Sequence, residues 1–286
     1  MTGSGTEGNP YIIQNVTDLQ SMNDDLSAYY KLGGDIDASE TETWNGGAGF
    51  VPIGRIVYDE GESKFVETPF TGGLDGDIHV IKNLYINRPT EVGIGLFGIT
   101  SGDDIKEVGL VDSVIIGMDF VGGLIGANLE SPVLRCFNTG SVDGNDYVGG
   151  LIGITTKNAL DIPNGGTSSG VKTISNSYAR GEVSGNEYVG GLIGANIGDY
   201  IYRCFSSSSV VGDSNVGGLI GSDDEGTVID SFWDTETSGQ EISAGGTGRT
   251  TRQMTRMSTY YAWHIQMSRT HRINEGYPFL YWQSKR

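Results

Sequence analysis

Short apolar runs broken by glycine, asparagine and aspartate recur along most of the chain, and they lack the 3.6-residue spacing that marks helices. One hexapeptide organises them. Val121-Gly-Gly-Leu-Ile-Gly126 returns as Val148 to Gly153, Val189 to Gly194 and Val216 to Gly221, with a divergent earlier copy at Gly93 to Gly98. Starts of the four close copies lie 27, 41 and 27 residues apart. The long interval is one period plus 14 residues, and a second register places the extra chain. Cys136, Cys204 and Ser231 each stand 14 residues after the second residue of their copy, whereas Ser177 stands 28 after it. The insertion therefore falls within 155–171, a polar, glycine-rich stretch with turn chemistry.

Other columns keep the same register: Phe137, Tyr178, Phe205 and Phe232 follow the Cys/Ser column, and Val142, Val183 and Val210 come five residues later. Each period thus predicts three short strands separated by Gly/Asn/Asp turns. A period in the high twenties with like residues in register predicts an all-β solenoid. Its coils stack at about 4.8 Å, so that Leu124, Leu151, Leu192 and Leu219 lie over one another. A propeller blade needs about 40–45 residues and is too long for this period. Upstream, Tyr30 to Ile36, Val80 to Ile86 and Ile105 to Val111 read as further strands. The spacing Thr17-Asp-Leu-Gln20 predicts a capping box and a short helix to about Leu26, with Leu19, Met22 and Leu26 on one face, covering the open end of the stack. The expected organisation is an N-terminal cap and first coil (1–40), a solenoid (41–239) whose segment Thr41 to Phe70 leaves the stack, and a C-terminal cap (240–286). In that last part Thr250 to Trp263 predicts a short helix, and Tyr277-Pro-Phe-Leu-Tyr-Trp282 is aromatic enough to seal the other end.

Composition adds two points. Glycine supplies 46 of 286 residues without a three-residue period, which excludes collagen. The net charge of −18 is unevenly spread: from Arg249 onward the chain is +6, so the first 248 residues carry −24. Such a body repels phosphate backbones, which predicts no nucleic-acid partner. Acid-rich, lysine-poor composition also fits a salt-rich environment. No run of about 18 apolar residues is present, so no membrane insertion is expected. The first eight residues have neither a basic nor an apolar segment, which predicts no secretory signal.

The Val-Gly-Gly-Leu-Ile-Gly copies resemble the GLUG motif of bacterial and archaeal surface proteins. Asn9-Pro-Tyr-Ile-Ile13, Asp35-Ile-Asp37, Phe50-Val-Pro-Ile-Gly54, Asp75-Gly-Asp77 and Tyr277-Pro-Phe-Leu280 resemble segments that accompany it. The resemblance implies a right-handed parallel β-helix of adhesins, large secreted proteins and viral fibres. Joined to the missing signal, it leads to the expectation of a structural, adhesive virion component, such as a tail fibre, spike or capsid-decoration protein assembled in the host cytoplasm. A fragment of a cell-surface adhesin is the alternative, and a β-helix polysaccharide-active enzyme ranks third.

No catalytic residues are expected. Asp35/Asp37, Asp75/Asp77 and Asp223-Asp-Glu225 could place two carboxylates at glycosidase spacing, but they are also turn sequences. His79, His264 and His271 stand in no nucleophile or metal motif. No cofactor or metal is expected; structural Ca²⁺ on the acid-rich turns is the one alternative, and no Asp-x-Asp-x-Asp-Gly loop supports it. Aromatics outside the core columns, Trp44, Tyr58, Tyr147, Tyr188 and Trp233, are the candidates for stacking on a host-surface glycan, with cap and corner packing as their other use.

Partners are expected to be other virion or surface-structure proteins and further copies of the chain. Strand alternation puts Val121 and Ile125 on one face and Leu124 on the other, so an apolar row is left over for a homo-oligomer, with a trimer as the expected state, unless a glycine bulge turns it inward or another segment covers it. Cys136 and Cys204 are expected as free thiols, because the Ser177 coil separates them by about 10 Å, beyond the roughly 7 Å reach of a disulfide.

Overall fold

The computed structural model describes residues 1–59, 61, 64–129, 131–156, 172–261, 263, 265–266, 277 and 279–280. The chain winds into a parallel β-helix. Five short strands make a full coil, for example Val133–Leu134, Phe137–Asn138, Ser141–Asp143, Asp146–Gly149 and Ile152–Thr156. Equivalent strands of successive coils stack into five parallel sheets of eight, eight, five, four and five strands. The pairing keeps the sequence register: Val148 lies between Val121 and Val189, and Ile193 between Ile152 and Ile220.

The coil has five strands rather than three because glycine corners divide the runs. At the first glycine of each hexapeptide the chain folds onto itself. A methyl group on Gly122, Gly149, Gly190 or Gly217 would stand 1.9–2.1 Å from the carbonyl oxygen of the isoleucine three residues on, closer than any side chain permits. That corner decides the fate of the expected left-over row. Because the chain turns between Val121–Gly122 and Ile125–Asn128, the valine, leucine and isoleucine all enter one core. Leu124, Leu151, Leu192 and Leu219 are each 0 % exposed, and Ile125, Ile152, Ile193 and Ile220 are equally buried. Strict alternation fails at the glycine pair, and the exposed ladder on which the oligomer argument rested does not exist.

A second core element was not foreseen. Two residues after the last glycine of each copy, Thr100, Asn128, Thr155, Asn196 and Asp223 stack in one column. The first four are fully buried. Thr100 donates to Asn128 (2.8 Å), Asn128 to Thr155 (3.3 Å) and the Ser131 carbonyl (3.0 Å), and Asn196 to Asp223 (2.7 Å). Thr155 donates across to Asp199 (2.6 Å). Buried polar groups persist when paired in this way.

The ends are closed differently. At the N-terminus a helix over Val16–Gln20 runs into a 3₁₀ turn at Ser21–Asp24. The cap is Asn15, whose side chain accepts from Asp18 N (2.9 Å), so the expected Thr17 box is displaced by two residues. The predicted face holds: Leu19 and Met22 are fully buried, and Leu26 packs on the core. The Thr41 to Phe70 excursion is rooted in that core through Phe50, Ile53 and Phe70, all 0 % exposed, and projects an antiparallel hairpin, Arg55–Asp59 with Lys64–Thr68. At the other end the chain crosses the last coil, where Ala244 N donates to the Ile220 carbonyl, and re-enters the second sheet at Thr247–Arg249 against Phe232–Asp234. Past Thr250, which caps a short helix over Thr251–Met254, the chain turns along the side. Met254, Tyr260, Trp263 and Tyr277 pack on the outward aromatic column of Phe137, Tyr178, Phe205 and Phe232. Phe137, Tyr178 and Phe205 stack nearly parallel at 4.9 and 4.8 Å. Of the expected aromatic seal, Tyr277 lies on this flank column; Trp282, His264 and His271 lie outside the described residues, as does most of the insertion (157–171).

Candidate functional site

The outer face of the first sheet carries a groove of about 190 Å³ near the N-terminal end, lined among others by Glu7, Tyr29, Lys31, Asp75, Asp103 and Lys106. Strand alternation builds it. Tyr30, Leu74 and Ile105 point into the core in register, so their neighbours Lys31, Asp75 and Lys106 form an outward column of alternating charge. In the parallel outward column Tyr29 pairs with Gly73, which has no side chain to fill the space. The Tyr29 ring takes that room: its Cδ1 and Cε1 lie 3.1 and 3.3 Å from where a Cβ on Gly73 would stand. Its hydroxyl donates to the Asp103 carboxylate, and that bond, ahead of burial, pushes the phenol up to about 12. Lys106 stands 3.8 Å from Asp75, and Lys31 3.0 Å from Asp77.

The sequence singled out Asp75 and Asp77 but neither Tyr29 nor the lysines. Tyr29 and Gly73 are 44 residues apart because the excursion intervenes, so their register could not be read from a 27-residue period. The other acid pairs serve the backbone. Asp35 faces His79 Nδ1 (3.2 Å), Val80 N (3.2 Å) and Lys82 (3.5 Å), so His79 is a partnered side chain. Asp37 accepts from Asn83 (3.1 Å) and Ser39 N (3.0 Å), and the Asn83 bond comes first in holding its carboxyl below the usual range. Asp223 ends the buried ladder, and burial raises its pKa. Among the described residues no three His, Cys, Asp or Glu side chains converge to hold a metal.

The candidate aromatics divide. Trp233 is 6 % exposed, its indole packed where Gly218 leaves room and its Nε1 donating to the Gln240 carbonyl (3.3 Å), so it has no face for a ligand. Trp44 packs on the core edge against Phe50. Tyr147 is stacked between Phe120 (5.1 Å) and Tyr188 (4.6 Å), so its two ring faces are taken by its neighbours. Tyr58 is 51 % exposed on the hairpin, edge-on to Phe65. Cys136 and Cys204 are free and fully buried, and desolvation pushes both thiols up to about 12.

The described residues form a stack of parallel coils, and comparison with known proteins bears on that fold. No family model matches the chain. A 132-residue stretch is 42 % identical to halomucin of Haloquadratum walsbyi, covering 44 % of this chain and 1 % of that protein. A 121-residue stretch is 32 % identical to a "putative Gly-rich membrane protein" of Evansella cellulosilytica, covering 42 % of this chain and 12 % of the other. The chain therefore spans only a small part of these relatives' length. Among solved structures, a "putative immunoglobulin A1 protease" of Bacteroides ovatus superposes over 98 % of this chain and 95 % of its own with a TM-score of 0.69 at 20 % identity, which shows a shared fold.

Proposed function

We propose that the chain is a non-catalytic, rod-like module of an extracellular or cell-surface protein, of the GLUG-repeat kind that its hexapeptides resemble. The observation that carries this reading is the 42 % identity with a stretch amounting to 1 % of halomucin, which is what a module used within a much longer chain produces. The second relative, named for a membrane, points the same way. The acid-rich body supports the setting, since a net charge of −24 on the first 248 residues keeps a glycine-rich surface soluble where salt screens its self-repulsion. Of the two locations expected from the sequence, the cell surface is the one these relatives favour over the virion.

Antibodies raised against the folded module test the location. Gold labelling on the outside of intact cells of the producing organism, removed by protease shaving, is the expected result. Label confined to particles in the culture fluid would transfer the module to a virion, and label reached only after lysis would end both readings.

A further inference from the structure

We propose that the groove beside Tyr29 and Gly73 is a binding site for one neutral pyranose ring of a glycan. The inference stands on the groove's own geometry and not on the location argued above.

Three features converge. First, the space is small and fixed. Its volume of about 190 Å³ lies below the roughly 300–1,000 Å³ of pockets for drug-sized ligands, which suits a single ring. Its walls come from successive coils of one parallel sheet, so little ordering is needed on binding. Second, Tyr29 is held in place from both sides. Gly73 against the Cδ1–Cε1 edge of its ring and Asp103 at its hydroxyl fix its orientation, which makes it a rigid amphipathic surface for the C–H face of a sugar. Third, the polar lining mixes acceptors and donors. Glu7, Asp75, Asp103 and Asp104 accept from hydroxyls, while Lys31 and Lys106 donate to them. Neighbouring hydroxyls of a sugar donate and accept at once and so satisfy both signs.

The same lining selects against other ligands. Four carboxylates face two ammonium groups, and both lysines already sit beside aspartates, so a uronate, sulfate or phosphate meets net repulsion. An apolar ligand would leave those charges desolvated and unpaired.

The test is ligand-observed NMR titration of the full chain with the methyl glycosides of glucose, galactose, mannose and N-acetylglucosamine, beside glucuronate and a sulfated galactoside. Saturable binding of at least one neutral glycoside in the millimolar range, little changed between low and molar salt, is expected. Tyr29→Ala and Gly73→Gln, whose side chain would displace the Tyr29 ring, should each weaken it roughly tenfold or more, and Asp103→Ala, which frees the ring, should weaken it less. Tyr200→Ala, at the far end of the same face and 44 % exposed, should leave it unchanged. Unfolding midpoints of every variant separate a lost site from a lost fold; should Gly73→Gln misfold, Tyr29→Ala and Asp103→Ala still decide. No saturation with any neutral glycoside, stronger binding of an anionic sugar, or equal loss in Tyr200→Ala would overturn the proposal.

Discussion

The coils from Ile105 to Asp224 and the first hundred residues contribute strands to four of the same five sheets, yet they use them differently. In the later coils the hexapeptide and its neighbouring columns repeat, so side chains there find a similar one a coil away: leucine on leucine, asparagine on threonine, phenylalanine on tyrosine. Those contacts consume the surfaces they form. Tyr147, which looks available in sequence, has both ring faces occupied. In the early coils a helix, an excursion and a hairpin break the period, and unlike residues come into register. Tyr29 meets Gly73, and Lys31 meets Asp75. Repetition stabilises, and the places where it fails leave room for something else to bind.

That contrast can be broken most severely at the hexapeptide corner. Gly190→Ala forces a methyl group to within 1.9 Å of the Ile193 carbonyl, and it should cost more than about 3 kcal/mol or prevent folding. Chemical denaturation measures it, with Gly34→Ala, where a methyl group meets nothing within 4 Å, as the neutral partner in the early region. Leu192→Ala should cost about 2–5 kcal/mol through its cavity. Thiol labelling gives a second reading of that variant. Cys136 and Cys204, buried and pushed to about 12, should stay unreactive in the native protein and label faster as the stack opens. Next comes the polar column. Asn128→Leu leaves Thr100 and the Ser131 carbonyl without their partner and should cost about 1–3 kcal/mol. Replacing the exposed hairpin pair, Val57→Thr with Val66→Thr, should change stability by less than about 0.5 kcal/mol per site.

The smallest effect has opposite signs in the two regions. Asp37, in the early part, has a lowered pKa, so its contribution is present above the unfolded value and is lost as pH falls through the folded one. Asp146, in a later coil, is raised by burial, ahead of the charges of Asp119 and Glu187. Its stabilising effect is present below the unfolded pKa and is lost as pH rises through the folded one. Asp37→Asn should therefore lower the thermal midpoint at neutral pH, while Asp146→Asn, whose Oδ1 can still accept from Glu187 N, should raise it. Midpoints moving in the same direction would show that net charge, rather than local environment, governs both.

The period was legible because identical residues at equal spacing leave few ways to wind the chain. The columns of Leu124 and Phe137 follow directly from counting. The number of strands per coil was not, since alternation is a rule for extended chain and the Gly122–Gly123 corner suspends it. The Asn128 column was within reach, as a polar residue stands two positions after the last glycine of every copy. The Asn15 cap shows a different limit: two candidate caps stand two residues apart, and the side-chain bond from Asp18 N falls to Asn15. The groove was out of reach, because its register spans an irregular loop.

The way the C-terminal segment lies along the flank has a mechanical consequence. A stack of coils pulled from its last strand would peel one strand at a time, each rupture involving few hydrogen bonds. Here tension entering from the C-terminal side passes the Phe279–Leu280 strand, paired with Ile265–Gln266, and reaches Tyr277, which is stacked on Phe205 one coil inward and bonded to Asp234 (2.5 Å). The load is thus divided between two coils and applied across the ring stack. Peeling becomes shear, in which many contacts must fail together, and a rod joined into a longer chain resists extension from that end more strongly than its terminal strand alone would allow.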